Sequence, residues 1–501
     1  MVYILSIDAG GGGCKCMLFD LESKKHFSTF EDWSFISSKE DPLLKEFDPD
    51  EFFRKICRAV RNILGKTRAD PKDIIAISSS SMRQSYVFLD EHGREIYAGP
   101  NVDARGVYYG DLIEERLGED IYKITGQWPP LIYTLARLLW FREETSEKFK
   151  KIKYVLTTND WIIYRLSGEM VTEPSISSAT QLLDIRKRTW REDFLEEFGM
   201  DHLELPVIKK TGEVVGSLKE ETARKMNLKE NIPVVMGGAD SQVAMLSCLS
   251  FDEGDTSIIA GTSTPVMLTF SKPVIDQERR IWTSCHVLED RWVLEANAQI
   301  TGLNYEWMKD MIKEVAGKED EKIYEIMEKL AGSVRSAHDG FFASLGPEIM
   351  DLNRISTLRP GIFLFPQPNH PASTAKIRLG HFVRGILENI SFALRANIDL
   401  LEEISGEKVK KVGVTGGLTR SNVWLEILSD VLGRGLMVTD VRDGTAFGCI
   451  ISGAVGAGMY RNLRGAAEDL VTVKNIEPRD SKAYEEGFER WKEIYEKIVD
   501  L

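Results

Sequence analysis

The sequence predicts an α/β protein of two domains. Three observations carry that expectation: its length, its alternation of apolar strands with amphipathic helices, and a strand–turn–strand opening that occurs twice. At 501 residues the chain is too long for one ordinary core. The first opening is Val2–Asp8, a glycine turn at Gly10–Gly13, and Cys14–Asp20. The second is Ser257–Ala260, a turn at Gly261–Ser263, and Pro265–Phe270. A boundary near Leu249–Asp255 divides the chain into residues 1–250 and 251–501. No low-complexity linker separates them, so the two halves are expected to pack against each other across a cleft.

The remaining elements follow from local signals. Asp48 can cap a helix, Pro49 suits its first position, and Glu51 completes a capping box. Phe52, Phe53, Ile56, Val60, Ile63 and Leu64 form the apolar stripe, and Gly65 is the expected stop. Ile74–Ser78 reads as a buried strand, followed by a hairpin through Asp90–Gly93. Ile232–Met236 is another strand. Asn389–Ile404 is an amphipathic helix closed by Gly406. Val409–Val414 is a strand, and Ser421 caps a helix that runs to about Leu432.

Composition narrows the function. The apolar share is 43%, as in a globular protein, and the net charge is −14. An acidic balance argues against nucleic acid or an anionic membrane as partner, because both call for basic patches. The uncharged stretch from Thr256 up to but excluding Lys272 is broken by Gly261 and Pro265 and is no membrane span. No signal peptide is visible. The six cysteines, Cys14, Cys16, Cys57, Cys248, Cys285 and Cys449, form no metal spacing, and Cys14 and Cys16 face one side of a strand. A reduced, cytoplasmic enzyme is the expected class.

Five segments bear chemistry. In Asp8-Ala-Gly-Gly-Gly-Gly-Cys-Lys15, glycine amides can approach an anion closely, and an acid at the strand end can hold Mg²⁺. The Walker loop and the dinucleotide fingerprint both lead into a helix, whereas here a strand follows. Strand–turn–strand after an aspartate is the geometry of the actin, hexokinase and sugar-kinase superfold. Gly261-Thr262-Ser263-Thr264 supplies amides and hydroxyls for phosphate oxygens. Gly237-Gly238-Ala239-Asp240-Ser241-Gln242 places a carboxylate at a strand end, as a base or as a helix cap. Ser81-Met82-Arg83-Gln84 and Asn101-Val102-Asp103-Ala104-Arg105 offer planar hydrogen-bonding groups to a polyhydroxylated ligand. Thr415-Gly416-Gly417-Leu418-Thr419-Arg420-Ser421-Asn422 can form a wall for a flat purine.

In this order and spacing, the five segments resemble the FGGY family of carbohydrate kinases over nearly the whole chain. So do Ile124-Thr125-Gly126, Thr158-Asn159-Asp160-Trp161, Leu166-Ser167-Gly168-Glu169, Ser177-Ser178-Ala179-Thr180, Leu183-Asp184 and Gly380-His381-Phe382-Val383-Arg384-Gly385-Ile386-Leu387-Glu388-Asn389. The resemblance implies an RNase H-like core in each domain, sugar on the N-terminal side, nucleotide on the C-terminal side, and ATP with Mg²⁺. It implies Asp240 as catalytic base and Asp8 as the metal-associated residue. Phosphate contacts would come from Gly10, Gly11, Gly12, Gly13 and Lys15, and from Gly261, Thr262 and Ser263. Gly416, Gly417 and Asn422 would meet adenosine. Met82, Arg83, Gln84, Asp103 and Arg105, with Asp240 and Gln242, would meet the acceptor. Family members are often homodimers or homotetramers.

Within the family, Ser-Met-Arg-Gln with Asn-Val-Asp-Ala-Arg is most similar to autoinducer-2 kinases, which phosphorylate a linear dihydroxypentanedione; ketose and polyol kinases such as xylulokinases are the next comparison. Gln84 replaces the glutamate usual in the autoinducer-2 enzymes. The family's first loop carries Thr or Ser after Asp-x-Gly, whereas this sequence has Gly11, Gly12 and Gly13, leaving amides alone. Lys15 keeps the charge of the more usual arginine but not its fork. Two other classes stay open on the sequence: a catalytically weak sugar-binding sensor, and an actin- or chaperone-like ATPase.

Overall fold

The computed structural model describes residues 1–335, 337, 339–354, 360–368 and 376–499. The chain forms two compact units. The first comprises Met1–Phe251, Thr269–Leu294 and Gly444–Val471; the second comprises Asp252–Leu268, Glu295–Asp443 and Thr472–Leu501. Two later segments, which a linear division at residue 250 assigns to the second half, thus belong to the first unit.

The first unit is built on β1 (Tyr3–Gly10), β2 (Gly13–Asp20), β3 (His26–Asp32), β4 (Ile74–Ser81), β7 (Val214–Ser217) and β8 (Pro233–Ala239), in the order β7-β8-β4-β1-β2-β3. The small hairpin β5 (Tyr86–Leu89) and β6 (Glu95–Gly99) turns through Asp90–Gly93 as expected. Strands β1, β2 and β3 run antiparallel, while β1, β4 and β8 are parallel. Register sets Asp8 opposite Lys15 on β2 and opposite Ser80 on β4. It also sets Ala239 opposite Ser81. The ends of β1, β4 and β8 therefore present Asp8, Ser81-Met82-Arg83 and Asp240 at one edge, and carboxyl ends of parallel strands are where open α/β sheets bind ligands.

Helix α1 (Pro49–Thr67) buries the predicted stripe against this sheet. Trp33, Phe52 and Phe47 stack beneath it, with ring centroids 3.9 and 4.0 Å apart. Each such side chain contributes roughly 1.5–3 kcal/mol on burial. Two details differ from expectation. The helix runs through Gly65 and ends where Arg68 turns left-handed and its N–H meets Leu64 O. Asp48 caps the amides of Asp50 and Glu51, but the Glu51 carboxylate pairs with Arg54 at 2.8 Å instead of closing a box. Further along lie α2 (Thr158–Ser167), α3 (Pro174–Ser178) and α4 (Asp240–Ser247).

The second unit repeats the pattern. Strands β9 (Asp255–Ile259) and β10 (Ser263–Phe270) form an antiparallel hairpin, and β9 pairs in parallel with β11 (Lys411–Thr415). Next come β12 (Leu436–Thr439), parallel to β11, and β13 (Val473–Ile476), antiparallel to β12. Its helices include α5 (Gly302–Ala316), α6 (Asp320–Gly332), α7 (Leu379–Ser405) and α8 (Asn422–Leu432). Helix α7 starts ten residues before the expected Asn389, with Gly380 and Gly385 inside it. A Cβ on Gly385 would lie 2.7 Å from the Phe341 ring, so this glycine serves close packing.

Helix α9 (Gly444–Gly456), late in the chain, packs on β1, β4, β8 and α4 of the first unit. A Cβ on Gly448 would lie 2.1 Å from Val243 O, so α9 and α4 touch backbone to backbone. All six cysteines are buried and unbridged, with Cys14 and Cys16 Sγ atoms 3.9 Å apart on one face. Among the described residues no helix is long and apolar enough to cross a membrane.

Candidate active site

In the first unit, β8 delivers Asp240 as the first residue of α4, with Ala239 in the cap position. Asp240 Oδ1 accepts from Ser241 N–H (2.6 Å) and Ser241 Oγ (3.2 Å). Arg83 Nε, from the segment after β4, lies 3.8 Å from the same oxygen. The Asp240 side chain is 29% exposed and Arg83 12%. The Arg83 guanidinium also lies over Trp282, 6.0 Å from the ring centroid. Gln242, two residues along, is fully buried. Its Nε2 donates to Ser284 Oγ at 3.0 Å, while Oε1 lacks a partner. An unpartnered buried amide oxygen is a group that a ligand or a water can satisfy.

Asp8 Oδ1 accepts from Ser80 Oγ at 3.2 Å. The exposed glycines Gly11 and Gly12 form the β1–β2 turn, and a Cβ on either would meet nothing within 4 Å. Gly13 differs: its Cβ would lie 2.5 Å from Glu31 O and from the Phe30 ring. The turn therefore exposes main-chain amides to an anion, with one carboxylate and Lys15 close by in register. Among the described residues no group of three or more His, Cys, Asp or Glu side chains could enclose a metal. A single carboxylate fits Mg²⁺ that keeps its waters and rests chiefly on phosphate oxygens.

The other predicted acceptor residues are arranged differently. Met82 is buried, and its N–H donates to Ala9 O at 2.9 Å. Gln84 adopts φ 51°, a left-handed conformation uncommon outside glycine, and its carbonyl accepts from Arg137 Nη2 at 2.9 Å. Asp103 and Arg105 are fully buried and joined at 2.7 Å. Arg105 also reaches Glu46 at 2.8 Å and lies 4.6 Å from the ring centroids of Tyr97 and Trp140. Asp103 further accepts from Lys45 N–H and the Tyr97 hydroxyl. Both side chains of this pair are thus engaged by protein partners that brace the segment carrying Asn101.

Sequence reasoning passed over three buried residues here. Arg137 donates to the carbonyls of Gln84, Gly99 and Pro100 and so ties two of the predicted segments together. Glu173 accepts from the amides of Ser175 and Ile176, and burial pushes its carboxyl up despite them. Ser175 links that carboxylate to Ala239. The available signal was a lone charge inside an otherwise uncharged run: Arg137 between Trp128 and Phe141, and Glu173 between Met170 and Leu183.

In the second unit, Gly261, Thr262 and Ser263 are exposed at the β9–β10 turn. Helix α5 starts against them: Thr301 N–H donates to Thr262 O at 3.2 Å, and a Cβ on Gly302 would lie 2.3 Å from Gly261 O. A helix N-terminus beside exposed amides and hydroxyls suits phosphate. Gly416, at φ 110°, presses on Ala260, where a Cβ would lie 2.4 Å from the carbonyl oxygen. The turn and the Gly416-Gly417 corner are thus adjacent, and Gly417 is open to solvent. Ser421 caps α8 and donates to Glu328 at 2.7 Å, leaving Asn422 exposed at the helix start.

Comparison with known proteins agrees with this geometry. The sequence matches the N-terminal domain of the FGGY family of carbohydrate kinases over residues 3–247 and its C-terminal domain over residues 256–457. The chain belongs to that family and is a carbohydrate kinase. It is 27% identical to an autoinducer-2 kinase of Klebsiella pneumoniae subsp. pneumoniae, over 99% of this chain and 94% of that one. A Salmonella choleraesuis autoinducer-2 kinase is likewise 27% identical over the same shares. Its fold is similar to that of a xylulose kinase from Lactobacillus acidophilus (TM-score 0.84, 18% identity, 100% and 99% of the two chains). It is also similar to Plasmodium falciparum glycerol kinase solved with ADP (TM-score 0.82, 19% identity, 99% and 98%).

Proposed function

We propose that this kinase transfers the γ-phosphoryl group of ATP to a hydroxyl of a linear polyhydroxylated acceptor, with Asp240 as the base. The observation that carries this reading is the Arg83–Asp240 grouping at the ends of β4 and β8. Ser241 and Arg83 hold Oδ1 in a fixed direction, so the carboxylate is pre-oriented to take an alcohol proton. Gln242 Oε1 and Arg83 are the groups offered to acceptor oxygens. Phosphoryl transfer asks chiefly for positioning and charge neutralisation. Asp8 is the residue that would hold Mg²⁺, whose charge would offset that of the phosphates. The amides of Gly10–Gly13 and Gly261–Ser263 would orient the triphosphate, and Gly416, Gly417 and Asn422 would face the purine.

The likeness to autoinducer-2 kinases favours a dihydroxypentanedione-like acceptor over a cyclic sugar. An ADP-release screen of the autoinducer-2 precursor, D-xylulose, gluconate and glycerol tests this choice, and the precursor is expected to turn over fastest. Asp240→Asn tests the base: transfer should fall by at least about 10²-fold while calorimetry still registers acceptor and nucleotide. Normal turnover in that variant rejects the assignment. A second reading, a sugar-binding protein with little turnover, draws on the amide-only loop at Gly11–Gly13. Acceptor binding without nucleotide binding would favour it.

A further inference from the structure

We propose that Ser175 and Glu173 are positioning residues for Asp240, acting through the main chain of Ala239. The inference rests on Asp240 being the base. At the β8–α4 junction the chain passes from extended backbone at Ala239 (φ −63°, ψ 140°) into helix at Asp240. The Ala239 N–H donates to Ser175 Oγ at 3.0 Å. The Ser175 hydroxyl spends its own proton on Glu173 Oε1, so its lone pairs are turned toward Ala239. Glu173 is itself immobilised. It accepts from Ser175 N–H (2.9 Å), Ile176 N–H (2.7 Å) and Thr211 Oγ1 (3.3 Å) as well as from that hydroxyl. Both side chains are fully buried.

The junction has little slack. A Cβ on Gly238 would lie 2.9 Å from both Glu173 Oε1 and Ser175 Oγ, and one on Gly237 would lie 2.0 Å from Ser79 O. The relay therefore presses directly on Gly238, the residue that precedes the cap, while Gly237 is held against β4. Burying a carboxylate is costly, and an apolar filler of similar volume serves packing at least as well. What this carboxylate adds is direction: it fixes the amide one residue before the base. A catalytic group displaced by about 1 Å loses on the order of 10²-fold in rate.

The test uses the full chain and ADP release, with whichever of the autoinducer-2 precursor, D-xylulose and glycerol turns over fastest. S175A should lower kcat about 10- to 100-fold with the acceptor KM within about twofold of wild type. S175T, which keeps the hydroxyl, should recover most of the loss. In a D240A background S175A should cause no further loss of residual turnover, because its effect passes through Asp240. Wild-type kcat in S175A, or the same fold-loss in the D240A background, overturns the proposal while leaving Asp240 as base. Full turnover in D240A rejects the base, and the proposal with it. Should S175A fail to fold, E173Q carries the same measurements; failure of both to fold marks the pair as architectural and overturns the positioning role.

Discussion

Arg83 Nε stands 3.8 Å from Asp240 Oδ1, and the same oxygen takes the amide and the hydroxyl of Ser241. One residue thus supplies positive charge to the carboxylate while its neighbour fixes the carboxylate's direction. Arg83→Ala is expected to raise the acceptor KM and lower kcat together, by roughly 10²-fold in kcat/KM, with a thermal midpoint close to wild type. Arg83→Lys should recover part of this, since it restores charge without the planar fork. Steady-state kinetics with a melting curve on each variant checks both halves.

The Asp103–Arg105 pair should behave in the opposite way. Both side chains are buried, so removing Asp103 leaves the buried Arg105 guanidinium with Glu46 as its remaining carboxylate, and breaking a buried pair costs up to about 3–5 kcal/mol. Asp103→Ala is expected to lower the melting temperature of the first unit markedly, and hydrogen exchange should show the loosening around Tyr97 and Lys45. An unchanged melting temperature with a raised KM would return this pair to direct acceptor binding.

The glycine turn makes a prediction of gain. Nothing lies within 4 Å of a Cβ on Gly11 or Gly12, and neither adopts a positive φ. Gly12→Thr should therefore fold normally and add a hydroxyl donor for phosphate, lowering the ATP KM by several-fold. One neutral hydrogen bond is worth about 0.5–1.5 kcal/mol. Gly13→Thr should instead destabilise, because its Cβ would meet Glu31 O and the Phe30 ring. ATP titrations of the two variants side by side check the contrast.

Two buried groups impose opposing pH slopes on stability. Burial holds His286 down to about 3, with its ring between Ser250 O and Leu288 N–H. Its contribution is present above the unfolded value near 6.5 and is lost as pH falls toward 3. Burial pushes Asp160 up to about 7. Its contribution is present below the unfolded value near 3.8 and is lost as pH rises through 7. Each slope approaches about 1.4 kcal/mol per pH unit within its window. His286→Asn is expected to tilt the melting temperature between pH 4 and 6.5 toward acid, and Asp160→Asn toward neutral. Identical pH profiles for wild type and both variants would refute this.

The strand–turn–strand openings, the capped start of α1 and the α8 cap at Ser421 were legible because each is written in contiguous residues with a local physical cause. The end of α1 was not. Gly65 signals a stop, but two more residues stay helical before Arg68 supplies the left-handed turn. The start of α7 was hidden for the same kind of reason, since Gly380 and Gly385 look like breakers until Leu330 and Phe341 are seen against them. At the site, Asp240, Arg83 and the glycine turns could be named from motifs. The roles of Arg137, Glu173 and Ser175 could not, because the contacts that define them, to Gln84, Gly99, Pro100, Thr211 and Ala239, span 37 to 64 residues of sequence.

Helix α9 completes the first unit from a distant part of the sequence. The sheet bearing Asp8 and Asp240 is not fully covered until residues 444–456 have been made. On the ribosome, the first unit must wait with part of its apolar surface bare while most of the second unit is synthesised. Expressing residues 1–251 alone should therefore yield aggregated or chaperone-bound material, and a chain cut before Gly444 should lose activity through the sheet it leaves bare.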